Sequence, residues 1–283
     1  MRCSTRGCAV AEARRNAALR GGIGILGIVA VVSLVGPWLT PDPLDVDLSA
    51  TLQPPSAEHL LGTDALGRDV AARLAYGGRV SLSVAALTAL LSLTIGIPLG
   101  ALAGYRGGWT DRAVSRLIEA ISCVPTLLIA IALLAISPQA LRSLPDVVRI
   151  AAVLAFAGWI PVARYLRAEF LRLRRSPMVE SARASGAGEW RIAVRHLLPA
   201  AIAPIWVTAA FAAAAAILIE AALSFLGLGV QPPAPTWGGL LSEAREELTR
   251  GWWLALAPGI ALFIAVLGLN QIGEGLRRWN EPR

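Results

Sequence analysis

Reactive chemistry in a protein needs a nucleophile beside a base, a set of metal ligands, or a glycine-rich cradle for phosphate. This sequence is poor in all three. Its 283 residues hold two histidines, His59 and His196, and three cysteines, Cys3, Cys8 and Cys123, too scattered for a zinc set or a disulfide framework. The 26 basic residues are all arginine, so no Gly-x-x-x-x-Gly-Lys phosphate loop exists, and Gly227-Leu228-Gly229 lacks the third glycine of a dinucleotide fingerprint. The expectation is a chain with no catalytic residue, no metal and no cofactor of its own. What remains is charge pairing and backbone shaping. Asp64, Arg68 and Asp69 lie among Gly62, Thr63 and Gly67; Glu119 and Glu220 sit inside apolar runs; Glu180 and Arg183 lie in an arginine-rich segment.

The elements that must position these residues follow from composition. The chain is 55% apolar and 16% charged, with a mean hydropathy of +0.61, against about 25% charged for an ordinary soluble domain. That balance excludes a soluble globule, and the sequence pI near 10.5 reads as arginine held on one side of a bilayer rather than as a nucleic-acid surface. Six apolar runs are near the length that crosses hydrocarbon: Gly21 to Leu39, Val80 to Ala103, Leu117 to Ile136, Val147 to Tyr165, Pro199 to Leu223 and Trp252 to Ile272. The first follows an arginine-rich start but carries no small-x-small cleavage site before Thr40-Pro41-Asp42-Pro43, so it is expected to remain as a span. The alanine-rich stretch from Ala209 to Ala216 is expected to admit a close helix neighbour.

Six spans put both termini on one side. With the N-terminus inside, the cytoplasmic segments hold 19 arginines and the external ones 7, so both termini are expected in the cytoplasm. Tryptophans 38, 109, 252, 253 and 279 fall near span ends, as an interfacial belt requires. Glu119 and Glu220 lie within a turn of their span ends and are expected to snorkel or to pair with an interfacial arginine.

The segment from Arg164 to His196 is too long to be a mere connector. Ser176-Pro177 reads as an N-cap and first helical position, Glu180 suits the positive helix end, and Gly186-Ala187-Gly188 stops the helix. A second short helix follows, with Trp190, Val194 and Leu197 on one face, before Pro199 opens the fifth span. The arginines alone would suit a loop resting on lipid headgroups; the two helices suit a rigid knob that docks into a cytosolic partner.

Glu180-Ser181-Ala182-Arg183-Ala184-Ser185-Gly186, with Leu198-Pro199 downstream, resembles the EAA loop of ABC-importer permeases. Serine stands at 181 where that pattern prefers alanine, and His196 matches the Arg-His-x-Leu-Pro form of the peptide-permease branch. His59 to Val70, then Arg73 and Tyr76 to Leu82, is similar to the segment before the second span of dipeptide and oligopeptide C-type subunits. Ala222 to Pro233 with Pro235-Thr236-Trp237-Gly238 is similar to their loop after the fifth span. A weaker likeness covers Trp252-Trp253-Leu254 through Gly275-Leu276-Arg277, where Glu274 replaces the usual aspartate.

The resemblance implies an all-α polytopic membrane protein of six transmembrane helices. Residues 1–54 would carry the cytoplasmic N-terminus, the first span and the start of an external loop. Residues 55–283 would form the permease core, with the coupling loop at 164–199. It implies the transmembrane permease subunit of an ATP-driven importer of the dipeptide, oligopeptide and nickel family. Its partners would be a second homologous permease subunit, two cytoplasmic ATP-binding subunits carrying ATP and Mg, an external solute-binding protein and the lipid bilayer, with no nucleic acid. Glu180, Ala182, Arg183, Gly186, Leu198 and Pro199 would form the ATPase-coupling loop. Gly62, Thr63, Asp64, Gly67, Arg68, Asp69, Gly227 and Gly229 would shape the external loops. Peptide is the expected cargo, with nickel or metallophore complexes, opines and glutathione as alternatives within the class. An ion-coupled secondary transporter is the alternative outside it, though the spans offer no series of ion or proton ligands.

Overall fold

A computed structural model describes residues 5–202 and 204–280 and, among them, is built of helices and loops; Cys3 lies outside the described residues. Helix α1 spans Thr5–Leu39 and α2 spans Val70–Arg106. Helices α3 (Gly108–Ser122), α4 (Thr126–Ala135) and α5 (Gln139–Arg142) lead to α6 (Asp146–Leu173). The short α7 (Pro177–Ala184), α8 (Glu189–Ile192) and α9 (Leu198–Ile202) precede α10 (Ile205–Phe225). Helices α11 (Trp237–Ala244) and α12 (Trp252–Asn280) complete the chain. Among the described residues, five helices are long and apolar enough to cross a membrane.

The third expected span is not one helix. It breaks at Cys123 to Pro125 into α3 and α4, which bend by 86°. Proline at 125 has no N–H for the helix ladder and biases Val124 away from the helical region, so the break falls where the chemistry puts it. The bent pair nevertheless carries the chain across. Along α2, Gly96, Gly100 and Gly104 face Trp159 and Val162, then Ala163, then Arg167 and Phe170 of α6, in ascending order on both helices. Helices α2 and α6 therefore run parallel, and α3 with α4 must return the chain to the opposite face.

Those three glycines are what let the helices touch. A Cβ at Gly100 would lie 2.6 Å from the Ala163 carbonyl oxygen, and one at Gly104 would lie 2.6 Å from that of Arg167. Close backbone approach of this kind is how spans associate where no hydrophobic force separates helix from lipid. Helices α1 and α12 pack antiparallel, Leu19 against Gly275 and Ile25 against Gly268, so the start of α1 and the end of α12 lie at the same end of the bundle.

Other boundaries also shift. Helix α2 begins at Val70, before its apolar run, because Asp69 Oδ1 accepts from Ala72 N at 2.8 Å and caps it. The fifth span opens at Ile205, not at Pro199. Before it, Ala193–Leu197 forms one wide π turn that accommodates the proline, whose ring clashes with the carbonyl four residues back in an α-helix. That turn changes the expected face of the second short helix: of Trp190, Val194 and Leu197 only Leu197 is buried, together with Ile192, while Trp190 is 81% exposed and Val194 is exposed as well. The alanines do admit neighbours, with Ala213, Ala214 and Ala216 buried in α10.

Candidate functional site

The end of the bundle bearing α11 is organised around a loop, residues 40–69, and its ion pairs. Asp64 Oδ1 accepts from the backbone of Leu66 and Arg68 at 2.8 and 3.0 Å, an Asx turn that wraps the carboxylate. Its Oδ2 takes Arg68 Nε at 2.7 Å and Arg73 Nη1 at 2.6 Å. Arg73 is only 3% exposed and reaches on to Glu243 of α11, which Arg68 also contacts at 3.1 Å. Asp69, besides capping α2, binds His59 Nδ1 at 2.9 Å. Thr63 Oγ1 donates to Ala50 O and accepts from Gln53 N, and its carbonyl accepts from Trp253 Nε1 at 3.1 Å. Gly67 has φ +73°, and a Cβ there would overlap Asp47 O at 1.7 Å, so no other residue fits that turn. A cavity of about 400 Å³ opens beside Asp64, Arg68, Arg73, Leu240 and Glu243.

Thus Gly62, Thr63, Asp64, Gly67, Arg68 and Asp69 form one cluster. Gly227 and Gly229 belong to another. Gly227, at φ +78°, ends α10, with Leu228 N bonded to Leu223 O at 2.8 Å. Gly229 lies against Ser224, whose Oγ a Cβ would meet at 1.9 Å. Ser224 donates to Glu220 Oε1 at 2.7 Å, and Ser81 of α2 donates to Glu220 Oε2 at 3.1 Å. Ser81 Oγ in turn accepts from Trp237 N of α11. Glu220 is fully buried; it neither snorkels nor meets an arginine, because these hydroxyls solvate it in place. Glu119 does pair with Arg116, at 3.0 Å. Trp253 is buried as a loop anchor and leaves the expected belt, while Trp38, Trp109, Trp252 and Trp279 are exposed.

At the opposite end, α7 stands below α6. Val179 is buried with Leu166, Phe170, Ile192 and Leu197. Glu180, Ser181 and Arg183 are exposed, and Ala182 is half-buried against that core. Ser176 occupies the N-cap position without making the cap bond, its Oγ buried and unpartnered. Gly186 has φ +77°, and Ala187 N bonds Ala182 O at 3.0 Å, the same closing motif as at Gly227. Leu198 and Pro199 begin α9, on the far side of the π turn from Glu180, Arg183 and Gly186. Tyr105 of α2 donates to Glu189, which also pairs with Arg183 at 3.4 Å. The Tyr105 hydroxyl, and then Arg183, hold the Glu189 carboxyl below the ordinary glutamate value. Ser181, Ala182, Ser185, Gly186, Arg195 and His196 line a shallow surface beside the helix.

Nothing in the residue pattern marks Glu243 or Tyr105 as a partner; Arg73 and Ser81 fall within the stretches of resemblance, but only Arg73, one turn after Asp69, carries a local signal for pairing a neighbouring carboxylate.

The family model for a binding-protein-dependent transport system inner membrane component matches residues 96–283. The dipeptide transport system permease protein DppC of Alkalihalophilus pseudofirmus is 38% identical over 92% of this chain and 86% of its own length. The glutathione transport system permease protein GsiD of Pectobacterium atrosepticum is 36% identical over 95% of this chain and 88% of its own. Among solved structures, an inward-facing conformation of the MetNI methionine ABC transporter superposes with a TM-score of 0.60. It covers 71% of this chain and 93% of that one at 17% identity, a likeness of fold.

Proposed function

The chain belongs to the family of binding-protein-dependent transport system inner membrane components, and from that membership we propose that it forms half of the translocation pathway of an ATP-driven importer of di- or oligopeptides. A second homologous permease subunit completes the path. Two cytoplasmic ATP-binding subunits, holding ATP and Mg, drive it, and an external solute-binding protein delivers cargo to the α11 end. The α7 end and both termini then lie in the cytoplasm, in keeping with the arginine distribution. No step of ATP chemistry belongs to this chain.

The observation that carries this reading is the construction of α7. One side is fixed to α6 through Val179, while Glu180 and Arg183 point outward and a Cβ at Gly186 would meet nothing within 4 Å. A short, stiff element anchored on one side and open on the other transmits rigid-body motion from a docked partner to the spans. Glu180 and Arg183 supply partner contacts, Ala182 the close packing, Gly186 the turn, and Leu198-Pro199 the hinge into α10.

The test is ATP-dependent uptake of a labelled dipeptide in proteoliposomes holding the assembled transporter. Gly186→Asp is expected to insert and assemble normally, since aspartate tolerates the left-handed region, yet to abolish uptake. Normal uptake by that variant, or uptake that persists without ATP under an ion gradient, would overturn the reading. The glutathione relative favours a second cargo: competition by glutathione against the dipeptide separates the two.

A further inference from the structure

At the α7 end, a second cavity of about 610 Å³ is lined by Tyr105, Arg106, Arg174, Arg175, Arg183 and Glu189. Four guanidiniums and one carboxylate converge on it. Several arginines at this end meet carboxylates: Arg167 with Asp111, Arg172 with Glu169, Arg116 with Glu119, and Arg277 and Arg278 with Glu274. Among the described residues, Arg106, Arg174 and Arg175 have no carboxylate within ion-pair distance, as is also true of Arg112, Arg164, Arg191 and Arg195; what sets the first three apart is that they meet Arg183 around one cavity. The one acid present, Glu189, is already engaged by Tyr105 and Arg183.

The fold explains why these cations gather. Arg106 is in the last turn of α2, Arg174 is the C-cap of α6 and Arg183 is in the last turn of α7. Helix C-termini carry about half a negative charge each, enough to hold a guanidinium but not to neutralise it. Gly107, at φ +66°, turns the chain out of α2 beside the Arg174 guanidinium, whose Nη1 a Cβ there would meet at 2.9 Å.

We propose that this cavity binds the phosphate of an anionic phospholipid headgroup. Guanidiniums are matched to phosphate oxygens in geometry and charge, and basic pockets between transmembrane helices hold such headgroups. Lipid is favoured over a free anion by the surface that leads to the cavity. Ile95, Pro98, Leu102 and Arg106 are all exposed on one side of α2. An acyl chain lying along the first three delivers its phosphate to the fourth. Trp109, exposed in the first turn of α3, adds an interfacial aromatic beside the same corner. The inference rests on the proposed orientation only for the leaflet that supplies the lipid.

The test uses the assembled transporter in nanodiscs of phosphatidylcholine with a minor fraction of phosphatidylglycerol, with retained lipid read by native mass spectrometry after transfer to detergent. Wild type is expected to retain phosphatidylglycerol selectively. Arg106→Gln with Arg175→Gln should lower retention about twenty-five-fold, roughly fivefold per guanidinium. The equal charge change Arg112→Gln with Arg116→Gln should leave it unaltered. Equal retention by both double variants overturns the proposal. So does displacement of the lipid by inorganic phosphate at matched concentration, which marks a free-anion site. Retention by the two permease subunits alone that is lost in the assembled transporter does the same, since it marks a contact with an acidic protein segment. Lipid retention needs no transport, so its failure is distinct from failure of the importer reading.

Discussion

Arg73 and Glu243, 170 positions apart in the chain, grip each other through two parallel bonds, Nη1 to Oε2 at 2.5 Å and Nη2 to Oε1 at 2.8 Å. The pair ties the first turn of α2 to the end of α11, and Asp64 extends it into the loop before α2. The two partners differ in setting, Arg73 being buried and Glu243 46% exposed.

That asymmetry predicts unequal mutants. Arg73→Ala strands the buried Asp64 carboxylate with Arg68 alone and should cost about 3 kcal/mol. Glu243→Gln removes a half-exposed charge that water screens, and should cost less than about 1 kcal/mol. Thermal unfolding of the detergent-purified protein checks both. Equal losses would show that the pair contributes as a unit and that burial of Asp64 is irrelevant.

The α2–α6 seam makes a second prediction. Gly100→Val places a branched side chain against the Ala163 backbone, and overpacking of a close seam costs about 1–3 kcal/mol. Gly24→Val, at a position of α1 where a Cβ meets nothing within 4 Å, should be nearly neutral. A melting series in which the two variants behave alike would remove the close-approach argument.

How much of this was readable from the residues depends on range. The apolar runs and the pause at Gly186 are local, and local chemistry decides them. The break in the third span was equally local, yet Pro125 sat inside a run whose hydropathy masked it, as prolines in spans often do no more than kink. The π turn was hidden because periodicity at 3.6 assigns Trp190, Val194 and Leu197 to one face, and only the widened turn aligns Ile192 with Leu197. The Arg73–Glu243 pair and the Trp253 anchor join positions more than 150 apart, and no spacing rule within one segment reaches that far. The role of α7 in coupling rests on its construction and its likeness to a motif, and uptake decides it.

The Tyr105–Glu189 contact sets a pH dependence. Glu189 is depressed below its ordinary value by the Tyr105 hydroxyl first and Arg183 second. A depressed carboxylate contributes stability above its unfolded value and loses it as pH falls through the folded one. The protection factor for hydrogen exchange across residues 177–197, from which the intrinsic pH dependence of exchange is removed, should therefore be flat from about pH 7 to about pH 5 and fall only below the usual carboxylate range. Tyr105→Phe removes the larger cause and should move that fall to higher pH. An unchanged profile in Tyr105→Phe would assign the effect to Arg183.

Glu220 offers the sharpest test of how the α11 end is held. Its two oxygens take hydroxyls from Ser81 of α2 and from Ser224 one turn on, and Ser81 also accepts the Trp237 amide that begins α11. One buried carboxylate thereby orders three helices. Glu220→Ala leaves both serine hydroxyls without their acceptor and opens a void, a combined loss of about 2–4 kcal/mol. Ser81→Ala removes both its bond to Glu220 and the acceptor of the Trp237 amide and should cost about 2 kcal/mol, without the void. Glu220→Gln keeps acceptor and volume and should fall nearer Ser81→Ala than Glu220→Ala. Because Trp237 is bound through Ser81, hydrogen exchange in residues 237–244 should speed up in Glu220→Ala, while residues 177–184 at the opposite end stay unchanged. If both segments loosen together, the loss is global, and Glu220 is a core residue like its neighbours rather than the tether of α11.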